Sequence, residues 1–310
     1  MRGTRTALAV TAVAVAVTVA GCAAPTGADA GSGPAGRTAS APPSGPALSE
    51  AERRRIEDAQ QGLIGACMER HGFRYARAVR PAPAADGAKG YVSDDVAWAR
   101  AHGYGSRIDA AEDRARLANP NIAYRASLPE PRRRAFDAAL DGGPGTPVLE
   151  TRLPTGGTVR RRLGGCLAES ENKLYGDTEA WFRAHKTASN LQPLYVPRVL
   201  ADKEFRAALG AWARCMERAG HPSKDPQEAR RTAERRGRGR PEPEAFAAER
   251  RLAVADAACA RTTSLKTVGR ARETYYVNAL PRPYREAVAT ALAMERAALA
   301  RARDLTRRAG

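Results

Sequence analysis

Aromatic side chains are scarce in this chain. Phe, Trp and Tyr make up 5% of its 310 residues, and there are only four Met and four His. A core built from so few rings must rest on Ala, Leu and Val. No Gly-x-Ser-x-Gly or His-Glu-x-x-His pattern occurs, so the local signatures of the α/β-hydrolases and zinc proteases are missing. Gly103-Tyr-Gly105 is a turn, too short for a glycine-rich phosphate cradle. No segment reaches the roughly 18 consecutive apolar residues that a permanent transmembrane helix needs. These absences single out no catalytic residue, no metal site and no cofactor. A catalytic group assembled from distant residues stays open.

The first residues have the order of an export signal. Arg2 and Arg5 are the positive n-region, and Ala7–Ala20 is an apolar run of h-region length. The run ends in Val19-Ala20-Gly21-Cys22, an aliphatic residue and two small residues before a cysteine. That is the pattern of a lipobox, so residues 1–21 are expected to be removed and Cys22 to carry lipid such as palmitate. The mature chain would then be anchored at the outer face of the cytoplasmic membrane rather than spanning it. Residues 22–48, rich in Gly, Pro, Ala, Ser and Thr, lack the apolar surface to offset their ordering entropy and form a disordered tether.

The net charge is +17, and loss of Arg2 and Arg5 leaves +15. Outside the membrane the available polyanions are lipid headgroups and wall polymers rather than nucleic acid. The densest basic segment is 230–240, which we read as a glycine-broken mobile loop. Its Arg230, Arg231, Arg235, Arg236, Arg238 and Arg240 are candidates for binding an anionic surface. The plainer reading of these arginines is a solvated surface.

Setting Cys22 aside leaves four cysteines: Cys67, Cys166, Cys215 and Cys259. An even count in an oxidising compartment implies two disulfides, with three connectivities possible. We favour Cys67–Cys166 and Cys215–Cys259, because each bridge then staples one half of the chain. Pairing of the repeated helices through Cys67 and Cys215 remains an alternative.

Abundant Ala and Arg favour helix, and the punctuation agrees. Ser49-Glu-Ala-Glu52 is a capping box that opens a helix carrying Ile56, Leu63 and Cys67, closed by Gly72. An extended piece holding Phe73, Tyr75 and Val79 follows. Further helices are expected from Ser93 to near Gly103 and over about 109–118, 129–140, 165–175 and 178–188. Residues 147–163, with Val148, Thr151 and Val159 around Pro154-Thr-Gly-Gly157, read as a β-hairpin. Asn190–Pro197 reads as a break, dividing an N-terminal half (49–190) from a C-terminal half (191–310). Beyond it, Phe205, Leu209, Trp212 and Met216 form a helical stripe from Asp202 to Gly220. Asp225-Pro226 opens another helix. A long helix follows Pro241 through Cys259, and a last one follows Pro281.

Two segments recur. Cys67-Met-Glu-Arg-His-Gly72 returns as Cys215-Met-Glu-Arg-Ala-Gly220. Tyr124-x3-Leu128-Pro-x-Pro131-x3-Ala135-x3-Ala139-Leu140 returns as Tyr276-x3-Leu280-Pro-x-Pro283-x3-Ala287-x3-Ala291-Leu292. The same order at nearly the same offset suggests a duplicated unit, although Cys166 and Cys259 are not equivalent within it.

The lipobox, the Cys-Met-x-x-x-Gly helix ends, the hairpin leading into Gly165-Cys166-Leu-x6-Leu174-Tyr175-Gly176, and the Ala255-Asp256-x-x-Cys259 helix together resemble a group of uncharacterised actinobacterial lipoproteins. The resemblance spans roughly residues 50–300 and implies no activity. The expectation is a mainly α-helical bundle of two related halves, with one small hairpin and two disulfides. Its expected role is non-catalytic binding or structure at the cell envelope. The alternative is an extracytoplasmic enzyme with a site between the halves, built on converging carboxylates or on His71 and His221. A thiolate–imidazole metal site at Cys67/His71 or Cys215/His221 is conceivable only if the sulfurs are free.

Overall fold

The structure, a computed structural model, describes residues 47–77 and 90–309, with side chains to 307. The export segment, Cys22 and Val79 lie outside the described residues. Helix α1 (Glu50–Arg70) starts on the expected capping box: the Ser49 hydroxyl accepts the Glu52 amide, and the Glu52 carboxylate accepts the Ser49 amide. Leu48 corrects the expected tether, which was drawn through it. Its side chain is buried with Ile56, Leu174, Ala298, Leu299 and Ala302. As the one large apolar residue next to a run of small ones, it joins the core where the helix begins.

Short helices α2 (Val96–His102), α3 (Ser106–Leu117), α4 (Pro120–Ser127) and α5 (Glu130–Asp141) follow. The second begins one turn beyond Ser93, because Asp95 rather than Ser93 accepts the Trp98 amide as its cap. Strands β1 (Val148–Arg152) and β2 (Thr158–Arg162) pair antiparallel, Val148 opposite Arg162 and Arg152 opposite Thr158. Gly156 and Gly157 turn the chain at φ of 96° and 80°, values that residues with a Cβ rarely adopt. On the inner face of the hairpin Leu149 is buried, and Arg161 grips both carboxylate oxygens of Glu171. Glu171 belongs to α6 (Gly165–Tyr175), which is followed by α7 (Thr178–Ala188).

The C-terminal half corrects two expectations. The break at Asn190–Pro197 is largely helix α8 (Gln192–Ala201), with Pro197 inside it. Proline removes one helical hydrogen bond there. Leu191, Tyr195 and Val199, one turn apart, are nonetheless all buried, and their burial outweighs the lost bond. Helix α9 (Lys203–Arg218) carries the predicted stripe, with Phe205, Trp212 and Met216 buried. The supposed basic loop is mostly helix α10 (Pro226–Gly237), capped by Asp225. Ala229 and Ala233, four residues apart, are buried as α10 packs on α11 (Glu242–Thr262). Small side chains allow this close approach, so the arginines between them are held on a helix. Helices α12 (Leu265–Asn278) and α13 (Arg282–Ala309) complete the fold.

The two halves are related in detail. Helices α1 and α9 end alike, with Gly72 and Gly220 at φ of 75° and 76°. The next amide reaches back to the same methionine carbonyl, Phe73 to Met68 at 3.0 Å and His221 to Met216 at 2.9 Å, the geometry of a Schellman cap. Ile64, Cys67 and Met68 are buried in one cluster, and Trp212, Met216 and Cys259 in another, with Cys215 packed at its edge. The α4–α5 and α12–α13 junctions repeat as Leu-Pro-x-Pro, with Leu128 and Leu280 packed on the respective clusters. The disulfides are Cys67–Cys166 and Cys215–Cys259. The halves also interlock, since α13 packs on α1, α6 and α7 while α2 packs on α11. Among the described residues no helix is long and apolar enough to cross a membrane.

Candidate functional site

The six arginines named from the sequence fall into two groups. Arg230 is only partly exposed; it donates to the Gly90 carbonyl at 2.7 Å and lies over the Tyr104 ring. One end of its guanidinium is therefore committed to the fold. Arg231, Arg235, Arg236, Arg238 and Arg240 are exposed. Arg235 bonds the Thr232 hydroxyl at 2.7 Å. The others have no acidic partner among the described residues. Five exposed cations thus lie on α10 and the turn after it.

Next to this face is a cleft that the sequence did not announce. It has a volume of about 580 Å³ and is lined by Arg100 of α2, His221 at the end of α9, and Arg250, Arg251 and Val254 of α11. Among the described residues no carboxylate lines it. Arg100, Arg250 and Arg251 are exposed at its walls and carry no ion pair among the described residues. The His221 Nδ1 is shut off from solvent without a hydrogen-bond partner. Partial burial, then the charges of Arg236 and Arg251, hold the His221 imidazole below its ordinary pKa.

The two buried carboxylates of α11 form a different constellation. Glu249 accepts the Tyr104 amide at 2.7 Å, the Ser106 amide at 3.3 Å and the Ser106 hydroxyl. Gly103, at φ 63°, passes so close to Glu249 that a Cβ there would lie 2.7 Å from its oxygen. Asp256 accepts the Trp212 indole N–H at 3.0 Å and the Tyr104 hydroxyl at 3.1 Å. Burial raises the Asp256 pKa to about 6, although Tyr104, Arg230 and Trp212 pull it the other way. A buried acid with a raised pKa is a common mark of catalysis. Here both carboxylates are occupied by donors from the chain, and neither lines the arginine cleft. Their visible work is to clamp the 103–106 loop onto α11.

The remaining histidines are placed as follows. His71 lies beside Cys67 and Cys166, with all three potential ligand atoms within 4.8 Å. The bridge consumes both sulfurs, so no thiolate is available to a metal there. His102 lies against Trp98, and His185 stacks on Trp181. His71 and His221 belong to separate constellations, and no described cleft joins them.

The sequence points to His221 only in company with Cys215 or His71 and passes over Arg100, Arg250 and Arg251. A signal was available. Arg250 and Arg251 have no acid three or four residues away on their helix, and neither does Arg100, so local helical pairing cannot neutralise them. Elsewhere arginines such as Arg134 with Glu130 and Arg183 with Glu179 pair in that way. Comparison with protein-family models, with curated proteins and with solved structures finds no match to this chain.

Proposed function

We propose that this chain is an extracytoplasmic lipoprotein, held to the outer face of the cytoplasmic membrane by lipid on Cys22, with a non-catalytic binding role at the anionic envelope. The observation that carries the reading is the cysteine inventory. All four cysteines of the folded body are paired, each bridge within one half. That leaves Cys22, at the end of a lipobox, as the one cysteine outside the pairs. Bridges of this kind belong to oxidising compartments, and the export signal supplies the route. The exposed arginines of α10 and of the turn after it support attraction to an anionic surface, each cation contributing about 1 kcal/mol close to the membrane.

The test is fractionation of cells expressing the wild type and Cys22→Ala. Wild-type protein should sediment with membranes, shortened by the 21 residues before Cys22. The variant should appear as an uncut precursor or be released. Unchanged processing and unchanged membrane retention in the variant would overturn the reading.

A further inference from the structure

We propose that the cleft between α2, the end of α9 and α11 is a binding site for a single phosphodiester group, supplied by the headgroup of an anionic lipid. The lipid source rests on the envelope reading above, whereas the phosphodiester chemistry rests on the cleft alone. Three guanidinium side chains, from Arg100, Arg250 and Arg251, line one concavity without a carboxylate among its lining residues. Guanidinium forks match the paired oxygens of a phosphodiester and bind them bidentately. Three cations left facing one another repel, and a bound anion relieves that repulsion. Arg250 and Arg251 are fixed by their helix, whose neighbouring Leu252 and Ala253 are buried. Arg100 is fixed because Trp98 and Ala99 beside it are buried and α2 packs on α11. The arginines are therefore presented by packed helices, so a ligand orders only their side chains and not the backbone beneath them.

His221 adds a second property. Its Nδ1 has no partner among the described residues, so a proton placed there would lack an acceptor until an anion arrives. Arg236 of α10 and Arg251 of α11 oppose protonation, and Arg250 and Arg100 share the cleft with the ring. A bound anion cancels part of that field and favours the protonated ring. Binding and protonation are then linked, and affinity rises as pH falls. A phosphodiester keeps one negative charge from pH 8 to 5, so any change over that range reports on the protein.

The experiment uses the full chain in a neutral detergent, titrated calorimetrically with glycerophosphoglycerol, a lipid headgroup without its acyl chains. One saturable site is expected, with affinity several-fold higher at pH 5.5 than at pH 7.5. Arg250→Gln with Arg251→Gln should weaken binding at least tenfold. Arg238→Gln with Arg240→Gln removes the same charge outside the cleft and should change it less than twofold. His221→Gln should abolish the pH dependence. Circular dichroism verifies that each exposed-arginine variant is folded. A second arm sediments the protein with phosphatidylglycerol or phosphatidylcholine vesicles. Binding to the former alone, displaced by the soluble headgroup, supports the lipid source, and undisplaced binding overturns it. Absence of saturable binding, or equal loss in the two arginine pairs, overturns the site whether or not Cys22 carries lipid.

Discussion

The two halves of the molecule use the same devices on cores of different size. The N-terminal cluster buries Ile64, Met68, Phe73 and Phe136 beside its bridge. The C-terminal cluster is larger, with Leu191, Tyr195, Phe205, Trp212, Met216, Leu252 and Leu265 among its buried residues. Trp212 stands where the first half has Ile64, and Val288 where it has Phe136. The bridges differ in the opposite sense: Cys67 and Cys166 are 99 residues apart, Cys215 and Cys259 only 44. The bridge that sits in the smaller cluster closes the longer covalent loop. In a chain short of aromatics, cross-linking and packing complement each other.

The largest predicted effects break this comparison directly. Closing the loops is worth about 4.7 kcal/mol for the N-terminal bridge and about 4.0 kcal/mol for the C-terminal one on chain entropy. Replacing Cys67 and Cys166 together by Ala should therefore destabilise more than replacing Cys215 and Cys259. Denaturant unfolding of the two double variants decides it, and the reverse order would remove the proposed complementarity.

Next come the equivalent core positions. Trp212→Ala should cost about 4 kcal/mol and Ile64→Ala about 3 kcal/mol. Trp212→Ala also deprives Asp256 of the indole donor. Unfolding curves in a bridge-intact background measure both.

A smaller effect separates the halves by pH. The Asp256 pKa is raised by burial from an ordinary 3.8 to about 6. Between those values the folded chain holds more proton at this site than the unfolded chain, so its contribution to stability falls as pH rises from about 4 to about 6 and is level above that. The total change is at most about 3 kcal/mol. Asp256→Asn should remove this slope from the melting temperature between pH 4 and 6.5. If the slope persists, its source is another carboxylate.

The smallest effect is an equality. Gly72 and Gly220 have matching φ, and an added Cβ would meet nothing within 4 Å at either position. Alanine at each should cost about 1 kcal/mol through backbone conformation alone. Unequal costs would mean that the two helix ends carry different loads.

Much of the fold was legible because it is written locally. The capping box at Ser49, the turn at Pro154–Gly157, the helix-ending glycines and the Leu-Pro-x-Pro repeat each act within a few residues. Cysteine parity and chain order pointed to the bridges. Where tertiary packing overrode local chemistry, the reading failed. Pro193 and Pro197 looked like a break, but burial of Leu191, Tyr195 and Val199 made α8. The arginines of 230–236 looked mobile, but Ala229 and Ala233 dock on α11. Helix α12 had no start signal, since Ser264 precedes it in the left-handed region without a side-chain cap. The basic cleft was hidden for the same reason: Arg100 meets Arg250 and Arg251 only because α2, 150 residues earlier in sequence than Arg250, packs on α11.

The central claim is that this is an exported, lipid-anchored protein stapled within each half. Mass spectrometry of the native protein from the membrane fraction, digested without reduction, tests it most directly. The account predicts an N-terminal peptide starting at an acylated Cys22, together with linked peptides joining Cys67 to Cys166 and Cys215 to Cys259. A chain that retains Met1, with an unmodified Cys22 and free thiols at the other four positions, would contradict it.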